Sequence, residues 1–158
     1  MRNLFGTHCV VLAGVVSLPL AISPRQTHFT PAPHYRNDTR LQAIRNFFGK
    51  TDCPAQNYSR EFLEAADDYE LDWRLLPSLS WVESTGGKAA RGNNYFGWDS
   101  GRAEFTSPVA GIHAVGYWLA NASQYRDKSL DEILATYNPD ADYGRKVKSV
   151  MRQIAPSE

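Results

Sequence analysis

The chain is short of cysteine, of net charge and of long apolar runs, and each shortage removes a class of protein. Two cysteines, Cys9 and Cys53, are too few for a disulfide framework or a four-cysteine zinc site. Lys+Arg 17 and Asp+Glu 17 balance across 158 residues, which argues against a sequence-blind nucleic-acid binder and its basic excess. No phosphate-cradling glycine loop occurs, and no Ser-His-Asp set can be assigned from spacing. His28, His34 and His113 have no metal-ligand spacing with one another or with Cys53, so neither a metal nor a cofactor is expected. What is present, 42% hydrophobic and 12% aromatic residues, suits one folded domain with an appended leader.

The leader is expected over residues 1–23. Arg2 supplies a positive start, residues 9–22 are apolar, and Ala21-Ile22-Ser23 offers a small-x-small cleavage site. The run is shorter than the ~20 residues of a stable membrane span. Export to the periplasm, cell envelope or extracellular space is the reading; because Pro24 is a poor start after cleavage, an uncleaved membrane tether is the alternative. Cleavage would remove Cys9 and leave Cys53, beside Pro54, as a small structural residue rather than a nucleophile. Residues 24–38 carry three prolines and no periodic apolar pattern, so they read as an extended tether. The domain proper, residues 39–158, holds 14 basic and 16 acidic residues and is expected to be monomeric.

Helical periodicity dominates that domain. Leu41, Ile44, Phe47 and Phe48 recur after a Thr39 cap, and Phe62, Leu63 and Ala66 follow Ser59. Asp72 can cap a helix carrying Leu75, Leu76, Leu79 and Val82 and closing at Gly86-Gly87. Ser107-Pro108 opens another, with Ile112, Val115 and Leu119 inward. Ser129 with Glu132 is a capping box for Ile133, Leu134 and Tyr137, and Asn138-Pro139 stops that helix. Tyr143, Val147, Val150, Met151 and Ile154 form the stripe of a last helix, whose Arg145, Lys146, Lys148 and Arg152 make a solvated basic face. Over residues 92–106 the pattern changes to Tyr95-Phe96-Gly97-Trp98 and Arg102-Ala103-Glu104-Phe105 around Asp99-Ser100-Gly101, which predicts a short β-hairpin. The expected fold class is therefore α+β, mostly helical, with a groove beside the hairpin.

Glu83 stands out by position. It follows Leu76 by seven residues and Leu79 by four, so it extends the apolar face of its helix. Partial desolvation there would raise its pKa toward that of a general acid working near neutral pH; the plain alternative is a solvent-facing helix-end glutamate.

The stretch Trp81-Val82-Glu83-Ser84-Thr85-Gly86-Gly87 resembles the catalytic-glutamate segment of the lysozyme-like superfamily, most closely bacterial endo-β-N-acetylglucosaminidases and next lytic transglycosylases. Three further segments agree in order. Asn93-Asn94-Tyr95-Phe96-Gly97-Trp98 resembles the start of the glucosaminidase β-lobe, and Thr136-Tyr137-Asn138-Pro139 the tyrosine-bearing turn across the cleft. Tyr143-Gly144-Arg145-Lys146-Val147 resembles the start of the final helix. The resemblance spans residues 71–154 and implies a lysozyme-like enzyme that cuts β-1,4 bonds in peptidoglycan glycan strands. Glu83 would be the general acid, and Tyr137 would orient the substrate acetamido group or steady the transition state. Ser84, Asn94, Tyr95, Phe96, Gly97, Trp98 and Tyr143 would line the substrate site, with Trp98 the first choice for sugar contact. For Tyr137, Tyr95 and Phe96 the alternative is core packing; alternation would send Tyr95 and Phe96 to different faces.

A second acid is not evident. Asp99 and Glu104 are the candidates on the predicted hairpin, yet Asp99 suits a turn and Glu104 a surface pair with Arg102. One glutamate with the substrate acetamido as internal nucleophile would also suffice. That route ends in hydrolysis or, if water is excluded, in a 1,6-anhydro product. The alternative of another class is a non-catalytic peptidoglycan-binding module.

Overall fold

A computed structural model describes residues 35–156, so the leader over residues 1–23 and residues 24–34 of the tether lie outside the described residues. The last part of the tether belongs to the folded unit. Tyr35 opens a 3-10 turn, Tyr35–Asn37, is buried, and donates its hydroxyl to Asp67 at 3.0 Å. Asp38 then caps the first helix, accepting the Arg40 N–H at 2.8 Å, a role the sequence assigned to Thr39 one residue on.

Among the described residues six α-helices follow: α1 (Thr39–Gly49), α2 (Ser59–Asp68), α3 (Leu75–Ser84), α4 (Pro108–Asn121), α5 (Leu130–Tyr137) and α6 (Tyr143–Ile154). α3 is the central element. Leu75, Leu76, Pro77, Ser78, Leu79 and Ser80 are all buried, because α2 and α6 both pack on it. α2 in turn packs on α1 and α4, and α6 on α1 and α5. The apolar stripe of α6 (Val147, Val150, Met151, Ile154) is buried as its spacing predicts.

The caps explain most helix boundaries. Ser107 accepts the Ala110 N–H at 3.1 Å ahead of Pro108, and Ser129 with Glu132 forms the reciprocal capping box of α5. Asp72 does not cap α3 as expected. It sits two residues before Arg74, the N-cap residue, whose N–H it accepts at 2.9 Å. α3 ends on Thr85 in the left-handed region (φ 53°), followed by Gly86 and Gly87 at positive φ. Gly86 needs its missing side chain: a Cβ there would lie 2.5 Å from the Sγ of Cys53, a buried free thiol.

The α+β expectation is wrong. Among the described residues there is no strand or sheet, only an isolated bridge between Arg91 and Asn94, and the hairpin predicted over residues 92–106 is a loop. The backbone explains this. Gly92, Asn93, Gly97, Asp99, Ser100 and Gly101 all adopt positive φ, which interrupts the extended conformation a ladder needs. The buried Asn94 side chain replaces that ladder. Its amide donates to the Trp98 and Ala103 carbonyls, each at 3.0 Å, and its carbonyl accepts the Trp98 N–H at 2.9 Å. Asn93 fastens the loop's far end by donating to the Phe105 carbonyl at 2.8 Å.

Asn94→Ala removes three bonds at once and leaves their backbone partners unmatched. It is expected to destabilise the domain by about 3 kcal/mol. Urea denaturation measures this; a loss below about 0.5 kcal/mol would mean that the loop holds itself without Asn94.

Candidate active site

Glu83 lies in the last turn of α3, half-buried, one turn beyond the fully buried Leu79. Ser84, next in sequence, is buried and locks this turn to the loop. Its hydroxyl is shared between the Ser80 and Tyr95 carbonyls (3.1 and 2.8 Å) and accepts the Gly87 N–H at 3.0 Å. With donor and acceptor both engaged inside the protein, Ser84 is a structural residue of the site rather than a surface for substrate.

Two tyrosines from the C-terminal helices close over the carboxyl. Tyr143, at the start of α6, is buried and donates its hydroxyl to Glu83 Oε1 at 2.6 Å. Tyr137, the last residue of α5, stacks on Tyr143 with ring centroids 5.8 Å apart and planes 9° from parallel. The Tyr137 hydroxyl is engaged within the protein. It donates to the Phe96 carbonyl at 2.5 Å, which fixes the loop residue before Gly97. Gly97, at φ +58°, presses its backbone on the carboxyl so closely that a Cβ would stand 2.7 Å from Glu83 Oε2.

Beyond Gly97 lies a cavity of about 400 Å³, lined by Gly97, Trp98, Asp99, Ser100, Tyr125 and Tyr137. Its aromatic wall is packed from behind. Trp98 stacks on Trp118 of α4 (4.9 Å, 22°) and meets Tyr137 edge-on (5.6 Å, 69°). Glu83 does not itself line this cavity; it meets it through Gly97 and Tyr137.

Burial pushes the Glu83 carboxyl above the ordinary carboxylate range, opposed only by the Tyr143 hydrogen bond. Burial likewise raises Tyr137, Tyr143 and Tyr125, so all three remain protonated phenols. No carboxylate among the described residues joins the influences on Glu83. Of the two sequence candidates for a second acid, Asp99 lines the cavity, exposed and paired with Arg102 at 2.6 Å, and Glu104 folds its side-chain stem over Gly92.

Of the residues picked from sequence, Glu83, Tyr137, Gly97, Trp98 and Tyr143 come together here. Asn94, Tyr95 and Phe96 do not present themselves to a ligand. Asn94 is spent on the loop backbone, Tyr95 packs on Gly87, and Phe96 lies wholly in the core against Phe62. The alternation expected to part Tyr95 from Phe96 fails because the segment is not a strand, and both side chains are buried. Tyr125 and Trp118 were missed; the only hint was an aromatic, Tyr125, in the polar stretch Ser123-Gln124-Tyr125-Arg126-Asp127. In comparisons with known proteins, no family model and no curated protein sequence matched the chain.

A carboxyl whose folded pKa is raised binds its proton more tightly in the native state, so ionisation works against the fold as pH rises above the ordinary carboxylate range, ~4.3 for glutamate. Glu83→Gln is therefore expected to be more stable than the wild type at pH 8, with the gain fading toward pH ~4. Urea denaturation at the two values checks the sign, and a penalty that grows with pH would contradict the burial argument. Tyr137→Phe strips the Phe96 carbonyl of its donor and should cost about 1–2 kcal/mol in the same assay.

Proposed function

We propose that this protein is a glycosidase that cleaves β-1,4 bonds in peptidoglycan glycan strands, of the endo-β-N-acetylglucosaminidase type, with Glu83 as general acid. The observation that carries the reading is a half-buried carboxyl of raised pKa, held on one oxygen by a phenol, beside an aromatic-walled cavity. An apolar wall such as that of Trp98 and Tyr125 suits the C–H face of a pyranose ring, and Asp99 and Ser100 can meet its hydroxyls. The ordered sequence motifs around Glu83, Gly97, Tyr137 and Tyr143 support the same substrate class. A peptidoglycan substrate also agrees with the export expected from residues 1–23.

The reading takes a one-acid route, with the substrate acetamido as internal nucleophile. Protonated Glu83 gives its proton to the glycosidic oxygen as the C1–O bond breaks. The carbonyl oxygen of the substrate's own acetamido group attacks C1 and closes an oxazolinium ring, which carries the positive charge. Glu83, now a carboxylate, takes a proton from the incoming water, whose oxygen bonds to C1 and reopens the ring. If a 6-hydroxyl of the same sugar takes the place of water, the product is a 1,6-anhydro sugar and the enzyme is a lytic transglycosylase. That second reading rests on the same observation. Tyr137 supports the site through its hydrogen bond to the Phe96 carbonyl, and its ring forms part of the cavity wall.

Mass spectrometry of the products released from purified sacculi tests the proposal. Reducing saccharide ends are expected; anhydro ends would identify the transglycosylase. Binding to sacculi without release would make the protein a glycan-binding module and end the enzymatic reading. Glu83→Gln is expected to lower the rate by about 100- to 10,000-fold while remaining folded, and an unchanged rate would remove Glu83 from the mechanism.

A further inference from the structure

The two oxygens of the Glu83 carboxyl have different surroundings. Oε1 accepts the Tyr143 hydroxyl at 2.6 Å. Oε2 accepts no hydrogen bond among the described residues and lies against the backbone of Gly97, where a Cβ would come within 2.7 Å of it. Gly97 is also a lining residue of the aromatic cavity. In a neutral carboxyl, the doubly bonded oxygen is the better acceptor and the other oxygen carries the proton. The hydroxyl donated by Tyr143 therefore favours Oε1 as the carbonyl oxygen and leaves the proton on Oε2.

We propose that Tyr143 and Gly97 act together as positioning residues: the Tyr143 hydroxyl makes Oε2 the proton-delivering oxygen of Glu83, and the missing side chain of Gly97 leaves Oε2 the room to keep its place. The delivery rests on the glycosidase reading, whereas the inequality of the two oxygens is a property of the free protein. The titratable groups facing Glu83 among the described residues are Tyr143 from α6 and Tyr137 from α5, and the loop contributes the Gly97 backbone. Both phenols stay neutral and cannot take the proton away. Gly97 has two reasons to be glycine, its positive φ and its contact with Oε2, and Gly101 separates them. Gly101 also adopts positive φ, at +78°, but a Cβ there would meet nothing within 4 Å.

Gly97→Ala and Gly101→Ala carry comparable backbone strain, and only the first displaces Oε2. Gly97→Ala is expected to lower kcat about 100-fold, as a misplacement of about 1 Å does, with a melting temperature close to that of Gly101→Ala. Gly101→Ala is expected to turn over like the wild type. Equal losses in the two variants would overturn the role of Gly97. Tyr143→Phe keeps the ring stack on Tyr137 and removes the one influence that lowers the Glu83 pKa, so the ¹³C NMR titration of the Glu83 carboxyl in the free protein should move upward. The alkaline limb of the kcat/KM profile should rise with it, because the acid must be protonated to act. An unmoved midpoint would overturn the role of Tyr143. Should the wild type release no sugar, the glycosidase reading falls alone. The NMR titration still decides the positioning, since Gly97→Ala must then shift the Glu83 signal and Gly101→Ala must leave it.

Discussion

A carboxyl drawn out of water at the end of a buried helix needs a partner, and the kind of partner decides what it can do. Glu83 receives a neutral phenol. A guanidinium or ammonium in that place would hold the carboxylate ionised and lower its pKa instead. The Tyr143 hydroxyl satisfies one oxygen while opposing only part of the burial that raises the pKa. The bond crosses a sequence separation of 60 residues, so the site exists only where α6 packs against α3. Tyr143 is in turn buried under the Tyr137 ring, and the Tyr137 hydroxyl secures the loop through the Phe96 carbonyl.

That loop reaches the carboxyl without a β-sheet. Asn94 gathers its backbone from within, turning one buried side chain into the bonds a short ladder would have made. A two-stranded hairpin is marginal by itself, and this one would lack a third strand. Left-handed turns let the chain double back over a few residues and set Gly97 against Oε2, where a pleated strand would carry its side chains alternately away. Phe96, adjacent to Gly97, anchors the same loop in the core against Phe62. Fold and candidate site therefore share residues: the bonds that hold the loop also shape the space beside the carboxyl.

Much of the domain was legible in the chain because helical information is local. The stripes of α1, α2, α3 and α6, the Ser107-Pro108 start and the Ser129–Glu132 box each lie within a few residues, and the structure bears them out. The phase of Glu83 with Leu76 and Leu79 located a half-buried carboxyl for the same reason. The loop over residues 92–106 misled because apolar alternation is only a necessary condition for a strand. Nothing in its pattern says that Asn94 will turn inward and compete for the backbone groups of its neighbours.

By itself, then, the sequence determined which segments are helices, which faces they bury, and that one glutamate sits at the edge of a buried face. Tertiary structure decided the rest. Both Tyr137 and Tyr143 lie on inward faces, and only the packing of α5 and α6 on the core sends the Tyr143 hydroxyl to Glu83 and that of Tyr137 to the loop. The aromatic wall draws Trp98, Tyr125 and Tyr137 from separate stretches of chain. Helical phase is a property of neighbours along the chain, whereas a hydrogen bond between distant side chains depends on how whole helices dock.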